Sequence, residues 1–222
     1  MSLLLWNETL VDLQRSSVRS DAQLRLRRED GSSDQVALDA WAGPPDYCDR
    51  LLLRRLREAP GNVLDVGCGP GRLAAAAGAA GLPSLGIDVA PAAIRLARSR
   101  GAVAAVASVF GDLPQTGPWR HILLVDGNLG IGGCPATLLK RCHALLDRHG
   151  TVHAEINPPW AREHTGLVRL EDPTGRVGDW FPWAEVSVTG LTGFAHDAGL
   201  AVKRIWTCGR RWFAELTGSS CV

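Results

Sequence analysis

Lysine is almost missing from this chain. Of the 24 basic residues among 222, only Lys140 and Lys203 are not arginine. Basic and acidic residues nearly cancel, 24 against 23, with no long block of one sign, which argues against a nucleic-acid partner. Tyrosine occurs once, at Tyr47. No stretch approaches the roughly 18 uninterrupted apolar residues of a membrane span. The opening MSLLLWNETL lacks the basic start and long apolar run of a secretory signal. The six cysteines (Cys48, Cys68, Cys134, Cys142, Cys208 and Cys221) contain no CxxC pair. A chain this long needs no staples, so they read as reduced thiols in a cytoplasmic protein, with no metal and no membrane partner expected.

What remains is apolar enough to bury a core: 45% of residues are hydrophobic, the profile of one globular domain. From Gln23, QLRLRRE alternates apolar and charged residues, DGSS supplies a turn and DQVALDAW resumes the alternation, predicting a β-hairpin. Asp46 to Ala59 places leucines at helical spacing and ends at Pro60-Gly61, predicting a lead-in helix. Residues 1–60 thus read as a cap of hairpin and helix, and residues 61–222 as the core.

Beyond Gly61, short apolar runs alternate with helical segments: NVLDVG, PSLGID, AVAAVAS, HILLVDG and TVHAEIN as strands, GRLAAAAGAAG, PAAIRLARSRG and PATLLKRCHALLDRHG as helices. The rhythm predicts an α/β fold with a mostly parallel, Rossmann-like seven-stranded sheet and helices on both faces. AVKRIWTC and RRWFAELT close it as a C-terminal antiparallel hairpin. Pro158 to Pro182 is polar, Trp-containing and without clear period, predicting a functional loop or a short elaboration.

The bare stretch VLDVGCGPG (Val63–Gly71) lies at the first strand-to-helix turn, where open α/β sheets bind ligands. A dinucleotide fingerprint needs G-x-G-x-x-G, but Arg72 follows Gly71 where the third glycine belongs. A P-loop needs Gly-Lys-Ser/Thr, and the nearest lysine is Lys140. Asp65 would repel a pyrophosphate and suits a ligand with positive charge or N–H donors; S-adenosylmethionine carries an ammonium and a sulfonium. Asp88 ends the second strand, where a carboxylate can accept from both ribose hydroxyls, and Asp112 follows the third.

VLDVGCGPGRL, GIDVAPAAIRLAR, GDLP and ILLVDG together resemble the class I S-adenosylmethionine-dependent methyltransferases, in particular their broad small-molecule group. The resemblance covers about Asn62 to Ile156. It implies that Asp65, Gly67, Cys68, Gly69 and Gly71 meet the methionine part of the cofactor, Asp88 and Val89 the ribose side, and Asp112 or a neighbour the adenine. It implies methyl transfer to an oxygen or nitrogen of a small molecule. The alternatives are a non-transfer reaction on the same fold, such as cyclisation, or cofactor-responsive binding. VDGNLGIGGCP is unusually glycine-rich for this position.

Asp126 and Asn128 stand at the end of the fourth strand, candidates for cofactor, catalytic and acceptor contacts. Tyr47 is placed to close over the cofactor, while Asn157, Trp160 and Trp183 are candidate acceptor walls. Arg72 reads as a solvated helix-start residue. Period-two geometry in TVHAEIN sends His153, Glu155 and Asn157 to one face, which makes His153 or Glu155 the candidate proton acceptor.

Overall fold

The computed structural model of the protein describes residues 4–15, 24–36, 41–115 and 117–219. Along the chain, α1 (Leu4–Arg15) precedes β1 (Arg25–Arg28) and β2 (Ser33–Gln35), and α2 (Tyr47–Glu58) leads into β3 (Val63–Val66) and α3 (Arg72–Ala79). Then come β4 (Ser84–Asp88), α4 (Pro91–Ser99), β5 (Ala104–Val106), β6 (Trp119–Leu124), α5 (Pro135–Leu145) and β7 (Leu146–Ile156). The last elements are β8 (His164–Glu171), β9 (Phe181–Glu185), α6 (Val188–Asp197), β10 (Leu200–Cys208) and β11 (Arg211–Gly218).

Seven strands form one sheet in the order β10-β11-β7-β6-β3-β4-β5. The pairs from β5 to β7 are parallel, while β11 is antiparallel to both β7 and β10. This is the expected Rossmann-like α/β architecture. The chain steps outward from β3 to β4 and β5, then returns to β6 on the other side of β3. That reversal opens a cleft beyond the carboxyl end of β3.

Both sheet faces are covered, so the strands carry apolar residues at successive positions. Leu64, Val66, Ile122 and Leu124 pack towards α5 and α6, while Val63, Leu123 and Val125 pack on Leu52, Leu56 and Leu73 from α2 and α3. The start of α2 is set by a reciprocal cap. Asp46 accepts from the Asp49 N–H at 2.7 Å and Asp49 accepts from the Asp46 N–H at 2.9 Å.

Three expectations change. The aperiodic segment 158–182 is part of a second sheet. β8 pairs with β1 of the N-terminal hairpin and with β9, giving the antiparallel order β2-β1-β8-β9. Its alternation is broken in sequence by Gly166 and Pro182, and its partner strand lies far upstream, so no local pattern announces it. The helix expected through Gly150 ends at Leu145, where β7 begins. The cysteines are not all reduced: a disulfide joins Cys48 on α2 to Cys208 at the end of β10, while Cys68, Cys134 and Cys142 are free. Cys221 and the expected strand residues 37–40 lie outside the described residues. No helix among the described residues is long and apolar enough to cross a membrane.

Candidate functional site

A cavity of about 900 Å³ opens at the switch point, at the upper end of the range for small-molecule sites. Its floor is the glycine turn. Gly69 has φ +51°, and a Cβ there would meet nothing within 4 Å, so the backbone is bared towards open space where a ligand can approach. The Gly69 N–H donates to Asp88 Oδ2 at 3.0 Å, and the Ala90 N–H donates to Asp88 Oδ1 at 2.8 Å. Asp88 is therefore fixed at the end of β4 with both oxygens oriented. Burial raises its pKa against the pull of those backbone N–H groups.

Asp65 lies deeper, almost wholly buried, and accepts from the Ala74 N–H at 3.1 Å. Burial, followed by the charges of Asp126 and Asp88, pushes its pKa up to about 7. Val89, Val109 and Phe110 supply an apolar stretch of wall beside Asp88.

At the end of β6 the backbone turns at Asp126, the only non-glycine residue with positive φ (58°) among those described. A side chain held in that region is strained and persists where its surroundings fix it. Here they do. Arg72 bonds Asp126 and Asp49 together, and the Asp126 N–H donates to Glu155 Oε2 at 2.9 Å. Arg211, from the start of β11, completes the cluster with bonds to Glu155, Asp49 at 2.9 Å and Asp46 at 3.1 Å. The expectation of a solvated Arg72 is corrected: it is 6% exposed, because its guanidinium lies between two carboxylates. Burial raises the Asp126 pKa, with Arg72 opposing it and Glu155 adding to it.

The opposite wall is the second sheet, whose inward residues Leu26, Leu170, Phe181 and Trp183 face the cavity beside Trp6 and Trp41. This wall explains the glycines after β6. A Cβ on Gly130 would sit 2.0 Å from the Ala184 carbonyl oxygen, and one on Gly133 would sit 2.9 Å from Pro182. Only bare backbone lets this loop lie against β9.

Of the residues singled out from sequence, Asp65, Gly67, Cys68, Gly69, Asp88, Val89, Asp126, Asn128, Glu155, Asn157 and Trp183 converge on the cavity. The Asn128 amide donates to the Val66 and Gly67 carbonyls at 2.9 and 3.0 Å, tying the loop after β6 to the glycine turn.

Five do not line it. Gly71 lies against Ala97 of α4, where a Cβ would come within 2.6 Å, so its glycine serves helix packing. Tyr47 is 71% exposed, and Trp160 is 77% exposed against the edge of Trp212. Asp112 is on the surface. His153 is buried two residues short of Glu155. Its Nε2 lies 3.0 Å from His121 Nδ1, and burial pushes its pKa down to about 3. The expectation that His153 takes a proton from an acceptor does not fit this position.

Asp49 and Arg211 were missed. Each is an ordinary charged residue in its own segment, and only long-range pairing brings them to the cleft. The one available signal is that Asp49 falls at the third position of a helix whose cap is already an acid.

A family model described as a methyltransferase domain matches residues 41–202. A trans-aconitate 2-methyltransferase from Methylobacterium radiotolerans is 32% identical over 139 residues, 60% of this chain and 50% of the relative. The chain thus spans about half the length of that curated relative. Among solved structures, an S-adenosylmethionine-dependent methyltransferase from Bacteroides fragilis in complex with S-adenosyl-L-homocysteine superposes with a TM-score of 0.77 at 21% identity, covering 96% of this chain and 94% of that one. A 1,6-didemethyltoxoflavin-N1-methyltransferase from Burkholderia thailandensis superposes at 0.55 and 19% identity, covering 81% and 79%. At such identities the likeness is one of fold.

Proposed function

The chain belongs to the methyltransferase domain family, and from that premise we propose that it transfers a methyl group from S-adenosylmethionine to an oxygen or nitrogen of a small-molecule acceptor. One observation carries the reading: the bare Gly69 turn and the anchored Asp88 open into the same cavity as the aromatic wall of the second sheet. Two ligands can thus meet in one enclosure.

The residues fit the cofactor. Gly69 leaves room beside the backbone while Gly67 makes way for the Asn128 amide, Asp88 offers oxygens to a ribose, and Asp65 brings negative charge to the methionine side. Val89, Val109 and Phe110 flank the place for the base. In this reading the adenine contact falls to neighbours of Asp112 in the segment just before it. The cofactor supplies a methyl group already activated by its bond to a positively charged sulfur.

The chain's own contribution is alignment and proton handling. Asp126, Asn128, Asn157 and Trp183 stand between the glycine turn and the second sheet, so they orient the acceptor. Arg72, Arg211 and Glu155 hold Asp126 in its strained turn. Among the described residues no histidine, lysine or tyrosine lines the cavity, so a departing proton passes to a carboxylate or to water. The acceptor named for the Methylobacterium relative, trans-aconitate, stands as one oxygen candidate, and a ring nitrogen as in the toxoflavin precursor as one nitrogen candidate.

Calorimetric titration with S-adenosylhomocysteine, followed by assay of its release from S-adenosylmethionine with candidate acceptors, tests the reading. Binding and acceptor-dependent release are expected. Tighter binding of NAD than of S-adenosylhomocysteine would overturn it.

A further inference from the structure

The cavity carries an excess of negative charge, with two of its carboxylates, Asp65 and Asp88, on the cofactor side. Six carboxylates line the cavity, from Asp34, Asp65, Asp88, Asp126, Glu155 and Glu185, against three arginines, Arg72, Arg210 and Arg211. Arg72 and Arg211 are committed to Asp126 and Glu155, and each also binds Asp49 behind the wall. Arg210 is exposed at the turn between β10 and β11 and is the one lining cation without an ion pair among the described residues.

On the second sheet, Arg28 is buried and bonds both Asp34 and Glu185; its Nε to Glu185 Oε2 distance is 2.9 Å. Two carboxylates on one guanidinium leave that island with one surplus negative charge. Both acids face the cavity.

A second, independent feature points the same way. The wall around this island is aromatic: Trp6 meets Trp41 edge-on with centroids 5.7 Å apart, and Phe181 meets Trp183 edge-on at 6.2 Å. Aromatic faces carry negative electrostatic potential and attract cations, more strongly where water is excluded. A cavity with surplus carboxylate and aromatic walls takes up an ammonium group on an apolar body and repels a polycarboxylate.

Resting on the methyltransferase reading above, we propose that the acceptor is a basic amine with an apolar or aromatic body, held by Asp34, Glu185 and the tryptophans, and that the chain methylates its nitrogen. The bound ammonium first loses a proton to a cavity carboxylate, which passes it to water. The nitrogen lone pair then forms the new N–C bond, the C–S bond breaks with its electron pair remaining on sulfur, and S-adenosylhomocysteine leaves uncharged at sulfur. If the amine keeps a further hydrogen, the new ammonium sheds it the same way.

The test uses probes that share an indole body and differ in the head group: tryptamine, tryptophol and indole-3-propionate, with trans-aconitate as the polycarboxylate. Each is titrated calorimetrically into the full chain saturated with S-adenosylhomocysteine. Tryptamine is expected to bind at least about tenfold more tightly than indole-3-propionate, with no binding of trans-aconitate.

Glu185→Gln is expected to cut that preference by about tenfold and Asp34→Asn by about threefold, each with unchanged S-adenosylhomocysteine affinity. Asp34 is 69% exposed at its side chain, and its loss leaves Arg28 paired with Glu185, so that variant keeps the test valid if Glu185→Gln does not fold. Equal or tighter binding of either carboxylate, or no binding of tryptamine to the cofactor-loaded chain, overturns the proposal. Failure of S-adenosylhomocysteine itself to bind overturns the methyltransferase reading beneath it.

Discussion

Arg211 and Glu155 share two parallel hydrogen bonds, Nε to Oε1 and Nη2 to Oε2, each 2.8 Å long. The planar fork of the guanidinium matches the carboxylate, and Glu155 Oε2 also receives the Asp126 N–H. Glu155→Gln removes the charge from a half-buried cluster and leaves Arg211 to Asp46, Asp49 and Asp126. The variant is expected to lose about 1–3 kcal/mol of stability in urea unfolding. Its turnover should fall at least tenfold, about 1.4 kcal/mol in the barrier, because a single amide oxygen cannot serve both Arg211 and the Asp126 N–H, and the hold on that backbone turn weakens.

Asp88→Ala is expected to weaken S-adenosylhomocysteine binding by about 2–4 kcal/mol, read by calorimetry, as charge-assisted hydrogen bonds to the ribose are lost. The same change frees the Gly69 N–H, so the glycine turn should show faster amide exchange. Unchanged affinity would place the ribose elsewhere.

Asp65 gives stability a pH dependence. Its folded-state pKa, about 7, lies above the unfolded value because of burial, then Asp126 and Asp88. Its favourable contribution is therefore present below about pH 4 and lost as pH rises through about 7. Asp65→Asn keeps an oxygen for the Ala74 N–H and carries no charge. It is expected to gain stability relative to the parent between pH 5 and pH 8, with the gap widening across that interval in parallel urea titrations.

The buried histidine pair acts in the opposite direction. His121 Nε2 lies 2.8 Å from the Ala59 carbonyl and must donate to it, so His121 Nδ1 accepts from His153 Nε2 and His153 Nδ1 is left without a partner. A proton there finds no acceptor. Burial, then His121 and Arg55, lowers the His153 pKa to about 3. The stability of the neutral pair is complete above about pH 6.5 and fades as pH falls towards 3, about 2 kcal/mol of it between pH 7 and 5. His153→Leu should flatten that slope. An unchanged slope would assign the acid sensitivity to other groups.

The disulfide closes a loop between residues 160 positions apart. Reduction, or Cys48→Ser, is expected to lower stability by about 2–4 kcal/mol. Thiol titration of denatured protein should rise by two groups after reductant. No rise would mean that Cys48 and Cys208 are thiols.

How far the sequence reaches follows from the distance over which each signal acts. The glycine turn, Asp65, Asp88 and the seven strands are local patterns with a periodicity of their own, and all were legible. Arg72 was not. Its burial depends on Asp49, 23 residues before it, and Asp126, 54 residues after it. His153 and Glu155 do share a strand face, as alternation requires. Two residues of strand nevertheless carry one to the cleft and leave the other beneath α2, and alternation holds no information about where along a strand the cleft begins. The second sheet escaped for the same reason, because neither of its halves buries a face without the other.

That sheet also dictates an order of assembly. Arg27 of β1 and Glu171 of β8, joined by hydrogen bonds, stand 144 residues apart, whereas the parallel pairs around the glycine turn close over shorter spans, Val63 with Ser84 and Val63 with His121. Long loops are slow to close and add little until they do. On a ribosome, the glycine turn and the strands beside it can take shape while the hairpin still waits for its partner. The wall opposite the glycine turn is raised only after its floor.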